Sequence, residues 1–193
     1  MKRIGVQEAN GFFVYQQRME NSFAGVGSMC GEFTFVVKDD ELTVYNKKYE
    51  QIYRSAPLPL HIQGINTLCM EDDEDNEDGD QGNSPISIIL AGYDGQIAKY
   101  LYYPSENVLD SDWCIELYQS INDFTVVNGL VFVLSNSRVV VLNLSDGSLV
   151  REMPLPEGTG LSLIRVEDIV IVETSKSTYS LKLSQKAASL VEI

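Results

Sequence analysis

The chain has 193 residues, of which 44% are hydrophobic, enough to bury a substantial core. Its 28 acidic side chains against 14 basic ones leave a net charge of -14, which excludes the basic footprint that nucleic acid or an anionic membrane surface requires. A basic protein partner stays open, as does acidity that serves only solubility.

The first residues, MKRIGVQEANGFFVYQQ, lack the apolar stretch of a secretory leader. No apolar run reaches the length needed to span a bilayer. Cys30, Cys69 and Cys114 are odd in number, widely spaced and without a CxxC pair. That pattern suits buried thiols in a reducing compartment, so the expected location is intracellular, in cytoplasm or nucleus.

Helical periodicity is nearly absent, and period-2 alternation with β-branched runs fills the chain. Residues 11–17 (GFFVYQQ) form a candidate strand ahead of the rest, placed to complete the last set of strands or to add to a neighbour. Four sets then follow in chain order. The first takes 22–27, 33–38, 42–46 and 51–55, and the second takes 64–70, 86–93, 96–103 and 113–119. The third takes 122–127, 129–135, 138–144 and 148–154, and the fourth takes 161–166, 168–174, 177–183 and 188–193.

The turns between the second and third strands fall near Asp39-Asp40, Asp94-Gly95, Asn136-Ser137 and Ser175-Lys176. Their spacings are about 55, 42 and 39 residues. Residues 71–84 (EDDEDNEDGDQGNS) are an insertion with nothing apolar but glycine. Without them the period is about 40, the length of a four-stranded propeller blade. The expected fold is therefore all-β, a β-propeller-type array of about four four-stranded antiparallel blades. A partial propeller fits the same pattern, and a β-sandwich is the alternative. The expected units are about 18–57, 58–120, 121–156 and 157–193, within one all-β domain over 1–193.

GLVFVLSNSRVVVLNLSDGSLVREMPLP (129–156) and ILAGYDGQIAKY (89–100) carry a family likeness. The first resembles a blade of the WD-repeat and quinoprotein-like β-propeller superfamilies, and the second shows the same strand, Asp-Gly turn and strand. The chain departs from those families in lacking Gly-His and Trp-Asp dipeptides; Asp112-Trp113 has the reverse order, and Arg151 stands where a quinoprotein-like repeat has its tryptophan. The resemblance implies a protein-interaction scaffold rather than a cofactor enzyme. Four blades are few for such families, so closure alone, closure by a second copy, or completion by another chain all stay open. An open sheet edge would seek a partner strand.

Chemistry-bearing motifs are sparse. His61 is the one histidine, and it lies in a proline-flanked connector with no nucleophile elbow in the chain. No ligand pair has zinc spacing. In EDNEDGD (74–80), placing Gly79 at the invariant turn of a calcium loop puts Pro85 where the bidentate glutamate belongs, so the motif fails. AGVGSMCG (24–31) lacks the strand-to-helix context of a phosphate loop and reads as a bend or a close strand approach. No cofactor or metal is expected.

The candidate partner-binding residues are the acidic run Asp72, Asp73, Glu74, Asp75, Glu77, Asp78 and Asp80, with the tyrosines Tyr100, Tyr102 and Tyr103. The acids either form a solvated loop or steer a basic partner. Alternation puts Tyr100 and Tyr102 on one sheet face and Tyr103 on the other, where they either pack within a blade or mark a contact surface. The expected function is a noncatalytic interaction scaffold, a subunit of a larger assembly, with protein partners and without direct nucleic-acid or membrane contact. A homodimer is among the arrangements it allows. The alternatives are an acidic chaperone or carrier for a basic protein of histone or ribosomal type, and an enzyme with a site in a propeller funnel.

Overall fold

β-Branched and aromatic residues dominate the alternating runs, and glycine, aspartate and asparagine punctuate them, a composition that favours hairpins joined in series. A computed structural model describes residues 12–17, 23–68, 84–184 and 187–192, and all its regular elements are strands. β1 (Phe12–Gln17), β2 (Phe23–Cys30), β3 (Phe33–Lys38), β4 (Glu41–Tyr45) and β5 (Gln51–Arg54) form one sheet in that order. The second sheet holds β6 (Ile62–Leu68), β7 (Ile86–Gly92), β8 (Gln96–Tyr103) and β9 (Val108–Glu116). The third holds β10 (Ile121–Val127), β11 (Leu130–Ser135), β12 (Arg138–Asn143) and β13 (Leu149–Pro154). The fourth holds β14 (Gly160–Val166), β15 (Ile169–Thr174), β16 (Thr178–Ser184) and β17 (Ala187–Glu192).

The four expected sets thus become four meandering sheets, here called blades 1 to 4, and the sandwich alternative falls away. Three of the expected central turns join the second and third strands of blades 2 to 4, and Asp39-Asp40 joins β3 to β4 in five-stranded blade 1. The candidate strand 11–17 pairs antiparallel with β2, from Phe12 opposite Ser28 to Gln17 opposite Phe23, so it adds to blade 1 rather than completing the last blade. One boundary moved. The strand expected at 113–119 begins at Val108 and ends at Glu116, because Asp110, Ser111 and Asp112 are exposed polar positions that interrupt the apolar alternation.

The chain forms two compact units, Met1–Leu90 with Ile97–Cys114 and Ala91–Gln96 with Ile115–Ile193. In the first, Phe35, Val37, Leu42 and Val44 of blade 1 pack with Ile65, Ile88, Leu90 and Tyr102 of blade 2. In the second, Phe132, Leu134, Val139 and Val141 of blade 3 pack with Leu163, Val170 and Val172 of blade 4.

Registers align the blades position by position. The pairs Cys30–Phe33, Val127–Leu130 and Val166–Ile169 close the β2–β3, β10–β11 and β14–β15 hairpins of blades 1, 3 and 4. On this alignment the joints within the two units use the same main-chain bonds. Leu58 N donates to Asp40 O at 2.8 Å, and Leu155 N donates to Ser137 O at 2.8 Å. Each donor lies in a Pro-Leu-Pro connector that crosses to the next blade. Likewise Thr67 Oγ1 donates to Met29 O at 3.0 Å, and Arg165 Nη1 donates to the equivalent Val126 O at 3.3 Å.

The cysteines correct one expectation. Cys30 is buried and disulfide-bonded, while Cys114 is exposed. The premise of three unpaired buried thiols therefore fails.

Candidate partner-docking surfaces

Alternation along β12 sends Val139 and Val141 into the core shared with blade 4 and turns Arg138, Val140 and Leu142 to the other face. There they line a groove of about 370 Å³ with Glu152 and Leu149 of β13 and with Ile115, Leu117 and Gln119. Gly95 holds the far wall in place. Its φ of +85° suits glycine, and a Cβ there would lie 2.2 Å from the Gln119 carbonyl oxygen. Leu117 N also donates to Gly95 O at 2.9 Å.

Apolar walls and a few fixed polar groups make up this groove, as in peptide sites generally. Arg138 Nη1 donates to Glu152 Oε1. Arg138 Nε and Gln119 Nε2, both removed from solvent, have no hydrogen-bond partner among the described residues. Unmatched donors of this kind cost about 1–3 kcal/mol each. The rim is apolar and open, with Leu149 and Val150 more than half exposed. No local sequence signal marks the groove, since Gln119 and Arg138 meet only after folding.

The residues singled out from sequence fall elsewhere. Asp72, Asp73, Glu74, Asp75, Glu77, Asp78 and Asp80 lie outside the described residues. Tyr100 and Tyr102 face the core instead of a contact surface. Tyr102 meets Phe35 edge-on at 5.7 Å between ring centroids. Its hydroxyl donates to Asn107 Oδ1 at 2.8 Å, which satisfies the one polar atom a buried tyrosine carries. Burial raises the pKa of both tyrosines above the ordinary phenol value. Tyr103 is half-buried on the opposite face.

His61 is exposed and pairs through Nδ1 with Asp40 Oδ2 at 3.1 Å. The other Asp40 oxygen accepts from Ile62 N at 3.0 Å. This cluster fastens the connector to β6. Among the described residues, no three His, Cys, Asp or Glu side chains come together as a metal site would require.

No protein-family model matches the chain, and no curated protein matches it. Solved structures do. The computationally designed Ika4 protein superposes with a TM-score of 0.61 at 10% identity, covering 94% of this chain and all of Ika4. The Cps50 (Swd1) β-propeller domain of Myceliophteria thermophila gives 0.59 at 9% identity, over 80% of this chain and 61% of that one. The WD40 repeats of RRP9 give 0.55 at 9% identity, over 84% of this chain and 49% of that one. At such identities the likeness is one of fold.

Proposed function

From a WD-repeat-like β-propeller fold, we propose that this protein is a noncatalytic interaction scaffold, a subunit that holds a partner protein within a larger assembly. The observation that carries the proposal is the blade 3 groove, with two unmatched donors between apolar walls and an apolar rim. Its occupant is an extended peptide segment of a partner. An apolar side chain lies against Val140, Leu142 and Leu149, and peptide oxygens accept from Arg138 Nε and Gln119 Nε2 after a small side-chain shift. Rigid strands position the site, so little ordering cost accompanies binding.

Peptides selected from a display library against the purified chain test this reading. We expect the selected peptides to bind about tenfold or more weakly to Arg138→Ala and to Gln119→Leu, the loss of one or two hydrogen bonds. Selection that yields only binders indifferent to both changes rejects it.

The net charge of -14 favours a second reading, a carrier for a basic protein. Such binding would weaken steeply with added salt, whereas groove docking would change little.

A further inference from the structure

The polar atoms left open in the blade 3 groove are of one kind. Among the described residues, the buried side-chain polar atoms without a hydrogen-bond partner are Arg138 Nε and Gln119 Nε2. Both lie in this groove and both are donors, and a guanidinium has no acceptor to offer. Main-chain groups add nothing to the floor. β12 is an inner strand, with Val140 paired to Val133 and Glu152 and Leu142 paired to Val131 and Leu149, so its N–H and C=O groups are used within the sheet. On the far wall, Leu117 N is taken by Gly95 O at 2.9 Å. Of the two carboxylates that line the groove, Glu152 is held by Arg138.

A ligand matched to this surface brings acceptors and buries few donors. An extended peptide of ordinary residues turns some of its N–H groups toward Val140 and Leu142, where they meet only methyl groups, and each donor buried in that way is costly. Proline has no N–H. A polyproline II segment keeps its carbonyls free of internal hydrogen bonds, and it is ordered before it binds. Glu116 adds a second preference. It lines the groove, is exposed, and takes part in no ion pair among the described residues. A lysine or arginine of the ligand meets that carboxylate, and the net charge of -14 draws it in.

We infer that the groove takes a proline-rich segment in the polyproline II conformation with a basic residue beside it. Its carbonyls accept from Arg138 Nε and Gln119 Nε2, its rings lie on Val140 and Leu142, and its cation pairs with Glu116. This choice of ligand rests on the groove being the docking site, and the experiment separates the two.

Two peptide display libraries, one with a fixed Pro-x-x-Pro core and one with Ala-x-x-Ala, are selected against the purified full chain, and the binders are sorted by their sensitivity to Arg138→Ala. We expect the Arg138-dependent binders to come from the proline library and to carry Lys or Arg beside the core. In a synthesised binder, alanine in place of the core prolines should weaken binding about tenfold. N-methylalanine, which also lacks the N–H, should keep most of the affinity. Glu116→Gln should weaken binding about threefold and flatten its salt dependence. Arg138-dependent binders drawn equally from both libraries, binders indifferent to alanine, or N-methylalanine peptides as weak as the alanine ones would overturn proline recognition and leave the groove as a docking site. Binding indifferent to Glu116→Gln would overturn the basic preference. Failure of both libraries to give any Arg138-dependent binder would overturn the docking site and proline recognition together.

Discussion

The joint between blades 1 and 2 and the joint between blades 3 and 4 share a backbone scheme but place a carboxylate in opposite surroundings. At the first, Asp40 caps Ile62 N from the surface beside His61, and its pKa falls below the ordinary aspartate value of 3.8, chiefly through the bond from Ile62 N. At the second, half-buried Asp123 accepts from Leu163 N at 2.7 Å and Phe124 N at 2.8 Å. Its pKa nevertheless rises, because desolvation outweighs those two bonds. The same device, an acid gripping the next blade's first strand, is thus favourable as an anion at one joint and burdened as an anion at the other.

The joints also differ in how closely their strands approach. Ile62, Ile121 and Gly160 each open the seven-residue first strand of their blade. Ile62 packs its side chain against the blade 1–blade 2 core. A Cβ on Gly160 would lie 2.4 Å from Ser135 O and 2.7 Å from Leu134 Cδ1. Asn122, at a bulge in β10, completes the close contact by donating to Gly160 O at 2.7 Å and to Asn136 Oδ1 at 2.8 Å.

The sharpest way to break the comparison is to remove that closeness. Gly160→Ala should cost about 1–3 kcal/mol, the range for forcing atoms into a packed joint, read by chemical denaturation. The opposite change at the equivalent position, Ile62→Gly, should also destabilise, but by lost burial rather than by a clash.

Asp123→Ala should cost about 1–3 kcal/mol, because Leu163 N–H loses its acceptor in a site short of water. Asp40→Ala should cost under about 1 kcal/mol, because water reaches the freed Ile62 N–H and the His61 pairing is solvent-screened. Equal losses in the two variants would show that burial does not separate the joints.

Acid titration separates them with the smallest and most specific effect. A lowered folded pKa means that the stability from Asp40 is present above its unfolded value and is lost as pH falls through the folded one. A raised folded pKa means that the contribution of Asp123 is fullest below its unfolded value and declines as pH rises through the folded one. The wild-type-minus-Asp40→Ala difference in melting temperature should therefore grow as pH rises through the carboxylate range. The corresponding difference for Asp123→Ala should shrink.

The strand plan was legible because alternation and turn residues act locally. FTFVVK and QIAKYLYY match β3 and β8 end to end, and the other expected strands in the four sets, 113–119 apart, begin and end within two or three residues of the observed ones. The period of about 40 survived because each blade is built from antiparallel strands in series around a short central turn. The tyrosines stayed undecided between packing and contact, because Tyr100 and Tyr102 have an amphipathic chemistry that suits a surface or a core equally well. What decided between them was Phe35 of blade 1, which meets Tyr102 edge-on only after folding.

Even the number of covered faces was partly written in the chain. ISIILAG and RVVVLN are near-continuous apolar runs, and β7 and the middle of β12 are buried on both sides. ELTVY alternates, and β4 buries one side only. Sequence by itself therefore determined the strands, their turns and their repetition, since propensity and periodicity depend on neighbours along the chain. Only the tertiary structure decided that Gln119 meets Arg138, and that Asp123 is desolvated and Asp40 is not. Burial, desolvation and hydrogen-bond partnership are set by what packs against a residue from elsewhere in the chain, and no local pattern carries that information.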